Sequence, residues 1–257
     1  AVHYALKSRV PELRIAGAQL LAKTDKEQAV TYLAEKLDKL KGIPERQAAF
    51  ATLALIGSKT ADGIISDWAK QVSQGKAVAA LKLDIIEAAE KRGLTNQLAG
   101  YYAKRHPTNY VTHFTECLDG GNSREGKEVF DTHITAQCVR CHQVGKQKGG
   151  SIIGPNLTGI GKKGREYLLQ SLIGPNSLVA PGYGTMNVTL KDGEVVGGQL
   201  RKETKTEIHL VQPDGKTLKV KRSDAVARTP VVSIMPPVGS LLTRQEIRSL
   251  VEYLLQL

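Results

Sequence analysis

The stretch Cys138-Val139-Arg140-Cys141-His142 constrains the fold of this chain more than any other part of the sequence. Two thiols separated by two residues, and followed at once by an imidazole, form the pattern by which a c-type haem is attached. Each thiol adds to one vinyl group of the macrocycle, and the histidine lies beneath the iron as its proximal ligand. The pattern therefore predicts that the fold encloses one covalent haem c, tethered by Cys138 and Cys141 and ligated by His142.

Two other interpretations of this cysteine pair remain open at this point. A redox-active CxxC pair is expected near a βαβ unit, and no such pattern is visible in the sequence. A structural zinc site needs further cysteine or histidine ligands at short spacing, and Cys117 and His133 fit that spacing poorly. The haem interpretation is therefore favoured over both.

Length and composition set the limits of the fold. The 257 residues, of which 41% are hydrophobic, suffice for one large or two ordinary domains. No run of about 18 apolar residues occurs, so no transmembrane segment is predicted. The chain starts at Ala1 without a charged and apolar leader, so we expect either a processed, exported protein or a fragment. Cys117 is left over from the motif and is expected to be a small buried residue.

The net charge of +11 is spread along the chain rather than gathered into one stripe. Proteins that bind nucleic acid usually show a clustered basic face, so we expect no nucleic-acid partner. A dispersed excess of positive charge favours attraction to acidic partners. The local exception is a group of basic residues in loops that are expected to border the haem, namely Lys146, Lys148, Lys162, Lys163 and Arg165.

The first part of the chain, residues 1–107, is predicted to be helical because its apolar residues recur at helical spacing. Helices are predicted over 11–23, 26–40, 44–57, 61–73, 77–92 and 95–105. The pairs Pro11-Glu12 and Pro44-Glu45 lie 33 residues apart, which indicates a repeated pair of helices. Such a repeat is typical of an α-solenoid and resembles short HEAT-type repeats. A plain helical bundle is the alternative.

The second domain is predicted to span 122–257, after a linker over 108–121. A short helix at about 123–131 carries Gly126 and Phe130, and the last helix opens at a capping box that starts with Thr243. The pattern resembles class I cytochrome c, in which the first and last helices cross at a glycine. A phenylalanine four residues later then packs against a leucine and a tyrosine, here Leu250 and Tyr253. The resemblance implies a cytochrome c fold.

The sequence Gly154-Pro155-Asn156-Leu157 resembles a loop that is found in cytochromes c. In those proteins the proline carbonyl accepts a hydrogen bond from the proximal histidine, which fixes the ring and raises its basicity. The resemblance therefore implies that Pro155 orients His142.

The sixth iron ligand is expected to be one of two methionines. Met235 is followed by proline, which holds it extended, and similar cytochromes c place the distal methionine in such a Met-Pro segment. Met186 alternates with apolar residues in a strand pattern, which predicts the core of a small sheet. Met235 is therefore favoured, with ligation by a second histidine from among His113, His133 and His209 as the alternative.

An insertion over residues 185–229 separates the haem motif from Met235. Its alternating pattern, with turns at Asp192-Gly193 and Pro213-Asp214-Gly215, predicts a few short antiparallel strands. A compact class I cytochrome c lacks this segment. It is expected to be a packed lid or a docking surface, or else an insertion without a role in the chemistry. The predicted fold class is thus mainly α, an N-terminal α-solenoid followed by a cytochrome c fold with a small antiparallel β insertion.

The order of these parts resembles the C-terminal region of exported putative dehydrogenases of the pyrroloquinoline-quinone type, similar to sorbosone dehydrogenase. In that family a β-propeller precedes helical repeats and a haem domain. The resemblance implies a periplasmic or otherwise exported protein that carries single electrons. Its donor would be a dehydrogenase domain or partner, and its acceptor an acidic or membrane-associated redox partner.

Histidine and methionine together would fill both axial positions of the iron, so this chain itself is expected to carry electrons rather than to catalyse a reaction. Two alternatives remain open. One is a haem enzyme or gas or redox sensor with an open or labile sixth position, and the other is a docking scaffold in which the solenoid is the primary element. Arg165 and Tyr183 are candidate partners of the haem carboxylates, from their position in the sequence alone.

Overall fold

The computed structural model describes residues 1–40, 42–145 and 153–257. The chain is mainly helical, with a small antiparallel sheet, which confirms the coarse fold class predicted from the sequence. It divides into two compact units, Ala1–Gly120 and Gly121–Leu257. Within the described ranges, none of the helices is both long enough and apolar enough to cross a membrane.

The first unit consists of short helices joined by tight turns. Its α-helices are α1 (Val2–Leu6), α2 (Pro11–Thr24), α3 (Lys26–Lys36), α4 (Ile43–Ile56), α5 (Lys59–Ser73), α6 (Lys82–Lys91) and α7 (Ala99–Tyr102). Proline lies in the first turn of α2 and of α4, where its missing N–H costs nothing. Asp25 and Ser58 cap α3 and α5 by accepting from backbone N–H groups.

Three of the predicted helices are shorter than expected. Helix α3, predicted over 26–40, ends at Lys36. The segment 77–92 holds a 3₁₀ turn, Ala79–Leu81, before α6, and 95–105 holds the 3₁₀ helix Thr95–Leu98 before the single turn of α7. Tertiary contacts explain the shortening of the helix predicted over 95–105. Ser73 Oγ donates to the Gln97 carbonyl at 2.6 Å, and the backbone at Gly100 lies against Ser73 at the end of α5. Local propensity alone does not report such contacts.

The helices of the first unit pack in series. Helix α2 contacts α4, and α4 contacts α6, while α3 contacts α2 and α5 contacts α6. Their apolar faces form one core that contains Phe50, Leu53 and Ile65, and Trp68 packs at its edge. Two ion pairs link helices of this unit: Arg14 of α2 binds Glu45 of α4 through both carboxylate oxygens, and Arg92, at the end of α6, binds Asp62 of α5 in the same way.

The segment predicted as a linker, up to Gly120, belongs to the first unit. It contains the 3₁₀ helices Tyr110–His113 and Thr115–Cys117. The side chain of Glu116 is buried, accepts from Tyr101 Oη at 2.8 Å and pairs with Arg105 at 2.9 Å. Cys117 is buried as the sequence predicts.

The second unit is organised around two crossing helices, α8 (Ser123–Thr132) and α10 (Arg244–Leu255), with α9 (Arg165–Ile173) packed beside α10. A Cβ added at Gly126 would collide with the carbonyl oxygen of Ser249, so glycine is what allows the close crossing. The ring centroids of Phe130 and Tyr253 lie 5.6 Å apart. Helix α10 opens with the predicted capping box, in which Thr243 and Glu246 bond each other's backbone N–H.

A small sheet lies between α9 and α10 in the chain. Its strands are β1 (Gly184–Leu190), β2 (Val195–Glu203), β3 (Glu207–Val211), β4 (Thr217–Lys221), β5 (Ala225–Arg228) and β6 (Val232–Ser233). The order is β4-β3-β2-β1-β5, all pairs are antiparallel, and β6 pairs with β1. One face buries Met186, Val188 and Leu210. This arrangement confirms both the predicted strands and the predicted packing of Met186.

Candidate functional site

A large cleft in the second unit is lined by several of the residues that the sequence singles out. Its empty volume, which includes open solvent at the mouth, is about 1160 Å³. Its walls come from the CxxCH segment, from the loop 153–160, from α9 with the turn that follows it, from the segment 233–238 and from α10. Most of the lining is apolar, for example Phe130, Leu157, Leu168, Leu172, Leu250 and Leu254.

The CxxCH segment forms the 3₁₀ helix Cys138–Arg140, which brings both cysteines to the wall of the cleft. The two thiols are not joined in a disulfide. Gln137, just before the motif, has φ of 45°, and within the described ranges it is the only residue other than glycine in the left-handed region. Such strained backbone concentrates at functional sites. The strain here turns the chain directly before the first cysteine.

The position of His142 is fixed by a hydrogen bond to the loop opposite. Its Nδ1 lies 3.0 Å from the carbonyl oxygen of Pro155. Because a carbonyl can only accept, Nδ1 carries the proton and Nε2 is left with a free lone pair. The interaction is the one implied for Pro155 by the sequence. It leaves His142 in the tautomer in which Nε2 can ligate a metal.

The environment of His142 also favours the neutral ring. Burial lowers the pKa of His142, and the hydrogen bond to Pro155 opposes this in part. A Cβ at Gly154 would lie 2.7 Å from the carbonyl oxygen of Cys141 and 3.1 Å from the His142 ring, so only glycine lets the loop approach so closely. Leu157 N then donates to Gln143 O at 2.8 Å, which ties the loop to the motif.

The pKa of the Cys138 thiol helps to distinguish a haem site from a redox-active cysteine pair. Burial raises the pKa of Cys138, with a smaller contribution from Cys141. A reactive redox cysteine has the opposite property, a lowered pKa that stabilises the thiolate. Over 1–40, 42–145 and 153–257, no three His, Cys, Asp or Glu side chains gather as a metal site of those residues would require. The raised pKa of Cys138 is thus unfavourable to the redox interpretation.

The structure separates the two methionines. Met235 lines the cleft, together with Ser233, Ile234 and Pro236. Met186 is 3% exposed in the core of the sheet and is not part of the cleft lining. Of the described residues, His142 is the only histidine that lines the cleft. The three histidines considered as alternative ligands lie elsewhere: His113 Nε2 is 3.1 Å from the His106 carbonyl, His133 pairs with Glu246, and His209 pairs with Glu207.

The charged groups at the rim differ in what they contact. Arg165 pairs with Glu252 at 2.7 Å, so its charge is directed to α10. Tyr183 lines the cleft, and the guanidinium of Arg201 lies 4.9 Å from the centroid of its ring. Lys163 lies 5.4 Å from the ring of Tyr167, another lining residue. Lys146 and Lys148, predicted to border the site, lie outside the described residues.

Sequence reasoning missed several polar residues of the second unit that lie in or next to the elements around the cleft. Gln199 of β2, only 7% exposed, donates to the carbonyl of the lining residue Ile153 at 3.3 Å. Asn176 accepts from the backbone N–H of Ser233 at 2.8 Å. Arg201 lies where the pairing of β2 with β3 shifts register, and such bulges re-aim side chains. No motif signals these contacts, because each depends on residues that are far apart in the chain.

Comparison of the sequence with protein-family models finds no match, and comparison with curated protein sequences finds none either. The cleft and its side chains are therefore interpreted from their own geometry.

Proposed function

We propose that residues 122–257 form a class I-like cytochrome c domain that holds one covalent haem c and transfers single electrons. The observation that carries this proposal is the composition of the cleft, where both thiols of the CxxCH motif meet His142 and Met235. Thiols for attachment, one nitrogen donor and one thioether are the groups that a haem c with two axial ligands requires. The crossing of α8 and α10 at Gly126 supports the same fold.

The side chains fit this cofactor in three respects. The cleft is large, its walls are mostly apolar, and the hydrogen bond to Pro155 leaves Nε2 of a neutral His142 ring available. Cys138 and Cys141 would tether the macrocycle, while His142 and Met235 would ligate the iron. When bound, haem with these two ligands supplies reversible one-electron chemistry, and the methionine raises its reduction potential. The apolar walls exclude water and so limit the reorganisation that accompanies each change of charge.

The individual residues have separate tasks in this proposal. Pro155 orients the ring of His142 through its carbonyl oxygen, and Gly154 allows the loop to come close enough. Arg201 lies over the ring of the lining residue Tyr183 and would add positive charge on that side of the cleft.

For the first unit we propose a HEAT-like α-solenoid. The series α2, α4 and α6, with α3 and α5 beside it, supports this proposal. The donors of two contacts in this series are 33 positions apart: Arg14 of α2 donates to Glu45 of α4, and Gln47 of α4 donates to the carbonyl of Ala80. The unit would serve as a docking scaffold beside the electron carrier.

The electron donor in this proposal is a dehydrogenase domain or partner, and the acceptor is an acidic or membrane-associated redox protein. The motif order at the sequence level and the net charge of +11 support this assignment. Covalent attachment of haem c belongs with an exported, periplasmic location. The whole would be part of, or a partner to, a larger oxidoreductase.

The test is the ligand set of the iron in the haem-loaded protein. The oxidised protein should show a methionine-to-iron charge-transfer band, and Met235→Ala should abolish it, while Met186→Ala should retain it. Carbon monoxide should bind the reduced wild type poorly and the reduced Met235→Ala variant readily. A wild type that is high-spin and binds carbon monoxide at once would instead support the enzyme or sensor with an open sixth position.

A further inference from the structure

We propose that strand β1, which begins the β insertion, and the turn after α9 position the Met235 segment at the cleft, and that Gly184 and Asn176 are the positioning residues. This inference rests on the proposed function, in which Met235 is the sixth ligand. Neither residue lines the cleft itself, so both act through the segment that carries Met235. Strand β1 and this turn would then be structural parts of the ligand site.

The first step is the pairing of β6 with β1. Gly184 pairs with Ser233 and Thr185 with Val232, so the end of β6 lies two residues before Met235. Thr185 Oγ1 also donates to the Val232 carbonyl at 3.3 Å. Strand β1 is itself paired with β2 and β5 and buries part of the sheet core. The segment that leads to Met235 is therefore held by β1, a strand that also pairs with β2 and β5.

The second step is a short chain of hydrogen bonds from the cleft wall to Met235. Asn176 lies in the 3₁₀ helix Pro175–Ser177, whose first residue lines the cleft. Asn176 Oδ1 accepts from Ser233 N at 2.8 Å, and Ser233 Oγ accepts from Met235 N at 3.1 Å. The wall that follows α9 is thus tied to the backbone of Met235 by two bonds.

Gly184 lies in a space that has no room for a side chain. A Cβ at Gly184 would collide with Val231 Cγ1 and lie 2.8 Å from Val179 Cγ1. Val179 lines the cleft, and valine side chains have few alternative rotamers. Glycine therefore allows β1, the entry to β6 and the cleft wall to come together. An alanine would push the segment that leads to Met235 away from the wall.

Competition with exogenous imidazole measures how firmly Met235 is held, because imidazole must displace the thioether to bind the iron. The full haem-loaded chain is titrated in the oxidised state, as wild type and as Asn176→Ala, Asn176→Asp and Gly184→Ala. Loss of one hydrogen bond should tighten imidazole binding about 3- to 10-fold in Asn176→Ala. Gly184→Ala should tighten it at least as much. Asn176→Asp should stay close to wild type, because its carboxylate keeps an acceptor oxygen.

The matched control is Asn96→Ala, since Asn96 is also an exposed asparagine in a 3₁₀ helix, Thr95–Leu98, but belongs to the first unit. Its imidazole affinity should equal that of the wild type. Covalent haem content is measured for every variant, so a wild type without covalent haem, or without the methionine band, contradicts the proposed function. If the wild type has both and Asn176→Ala matches Asn96→Ala, the positioning role is overturned. This comparison holds even if Gly184→Ala does not fold.

Discussion

At the scale of single residues, the chemistry of the site depends on which nitrogen of His142 carries the proton. The Pro155 carbonyl assigns it to Nδ1, and burial lowers the pKa of the ring. Both effects favour a neutral imidazole with a free Nε2, which is the form that binds a metal. Proline has no backbone N–H, but it offers its carbonyl as freely as any residue. The identity of residue 155 therefore matters less for the bond itself than for the turn that presents it.

The ion pair between Asp62 and Arg92 gives a residue-scale prediction for the first unit. The hydrogen bonds from Arg92 lower the pKa of Asp62, although burial opposes this. The stabilisation is therefore complete above the ordinary aspartate pKa of about 3.9 and is lost as the pH falls through the lower folded-state value. We expect Asp62→Asn to cost about 1 kcal/mol at pH 7, since the pair is partly exposed.

Urea unfolding followed by the fluorescence of Trp68, the single tryptophan, measures this effect in the first unit. The stability difference between wild type and Asp62→Asn should be constant from about pH 5 to pH 8 and should shrink below about pH 4. Asp67→Asn is the matched control, because Asp67 lies on the same helix in an exposed pair with Lys70. Equal effects of the two substitutions at pH 7 would contradict the account.

At the scale of elements, the crossing of α8 and α10 holds the second unit together. Gly126 lies against the Ser249 carbonyl with no room for a methyl group. We expect Gly126→Ala to destabilise the second unit by about 1–3 kcal/mol, because the helices must move apart. Thermal unfolding of the haem-loaded protein by circular dichroism measures the loss.

Gly63→Ala serves as the control for this substitution. Gly63 also lies within a helix, α5, but an added Cβ there has no neighbour within 4 Å among the described residues. Its replacement should be neutral or stabilising by up to about 1 kcal/mol. If Gly126→Ala lowered the thermal stability no more than Gly63→Ala, the result would contradict the close packing of α8 and α10 at Gly126.

The elements that could be predicted from the sequence are those marked by a pattern of neighbouring residues. The capping box at Thr243 and the glycine turns of the sheet are such signals, and both are present in the structure. The short helix α1 packs its Ala5 against Gly17, and β6 pairs with a strand about 47 residues earlier. These features depend on contacts between distant segments, so no local pattern could predict them.

The same division applies to the candidate site. The motif residues and Met235 were singled out by spacing and by neighbouring prolines, and the cleft brings them together. The sequence did not single out Gln199, Asn176 or Arg201. A single polar residue on a strand or turn carries no information about its partner. Arg165 shows the converse, since its place in the sequence suggested the haem but its partner is Glu252.

At the scale of the whole molecule, the net charge affects how fast charged partners associate with the protein. The chain carries a net charge of +11, and Lys162 and Lys163 are exposed beside the cleft residue Ile160. Such a charge steers an acidic partner over about a Debye length, which shortens as salt is added. The effect is on the rate of association more than on affinity.

Electron exchange with a small acidic redox protein tests this steering. Stopped-flow rates should fall about tenfold or more between about 0.01 M and about 0.5 M salt, because steering of this kind accounts for factors of 10 or more. Lys162→Glu combined with Lys163→Glu should lower the rate at low salt and weaken its salt dependence. Lys23→Glu with Lys26→Glu, an equal change of charge in the first unit, should have a smaller effect. A rate independent of salt would remove the steering account.

The central claim is that a haem is bound covalently in the cleft of the second unit. The most direct measurement is the mass of the denatured protein after expression in a host that matures c-type cytochromes. We predict an intact mass that includes one haem, and loss of that added mass from the Cys138→Ala, Cys141→Ala double variant. A wild-type protein that is colourless, or that releases its pigment on denaturation, would contradict the account.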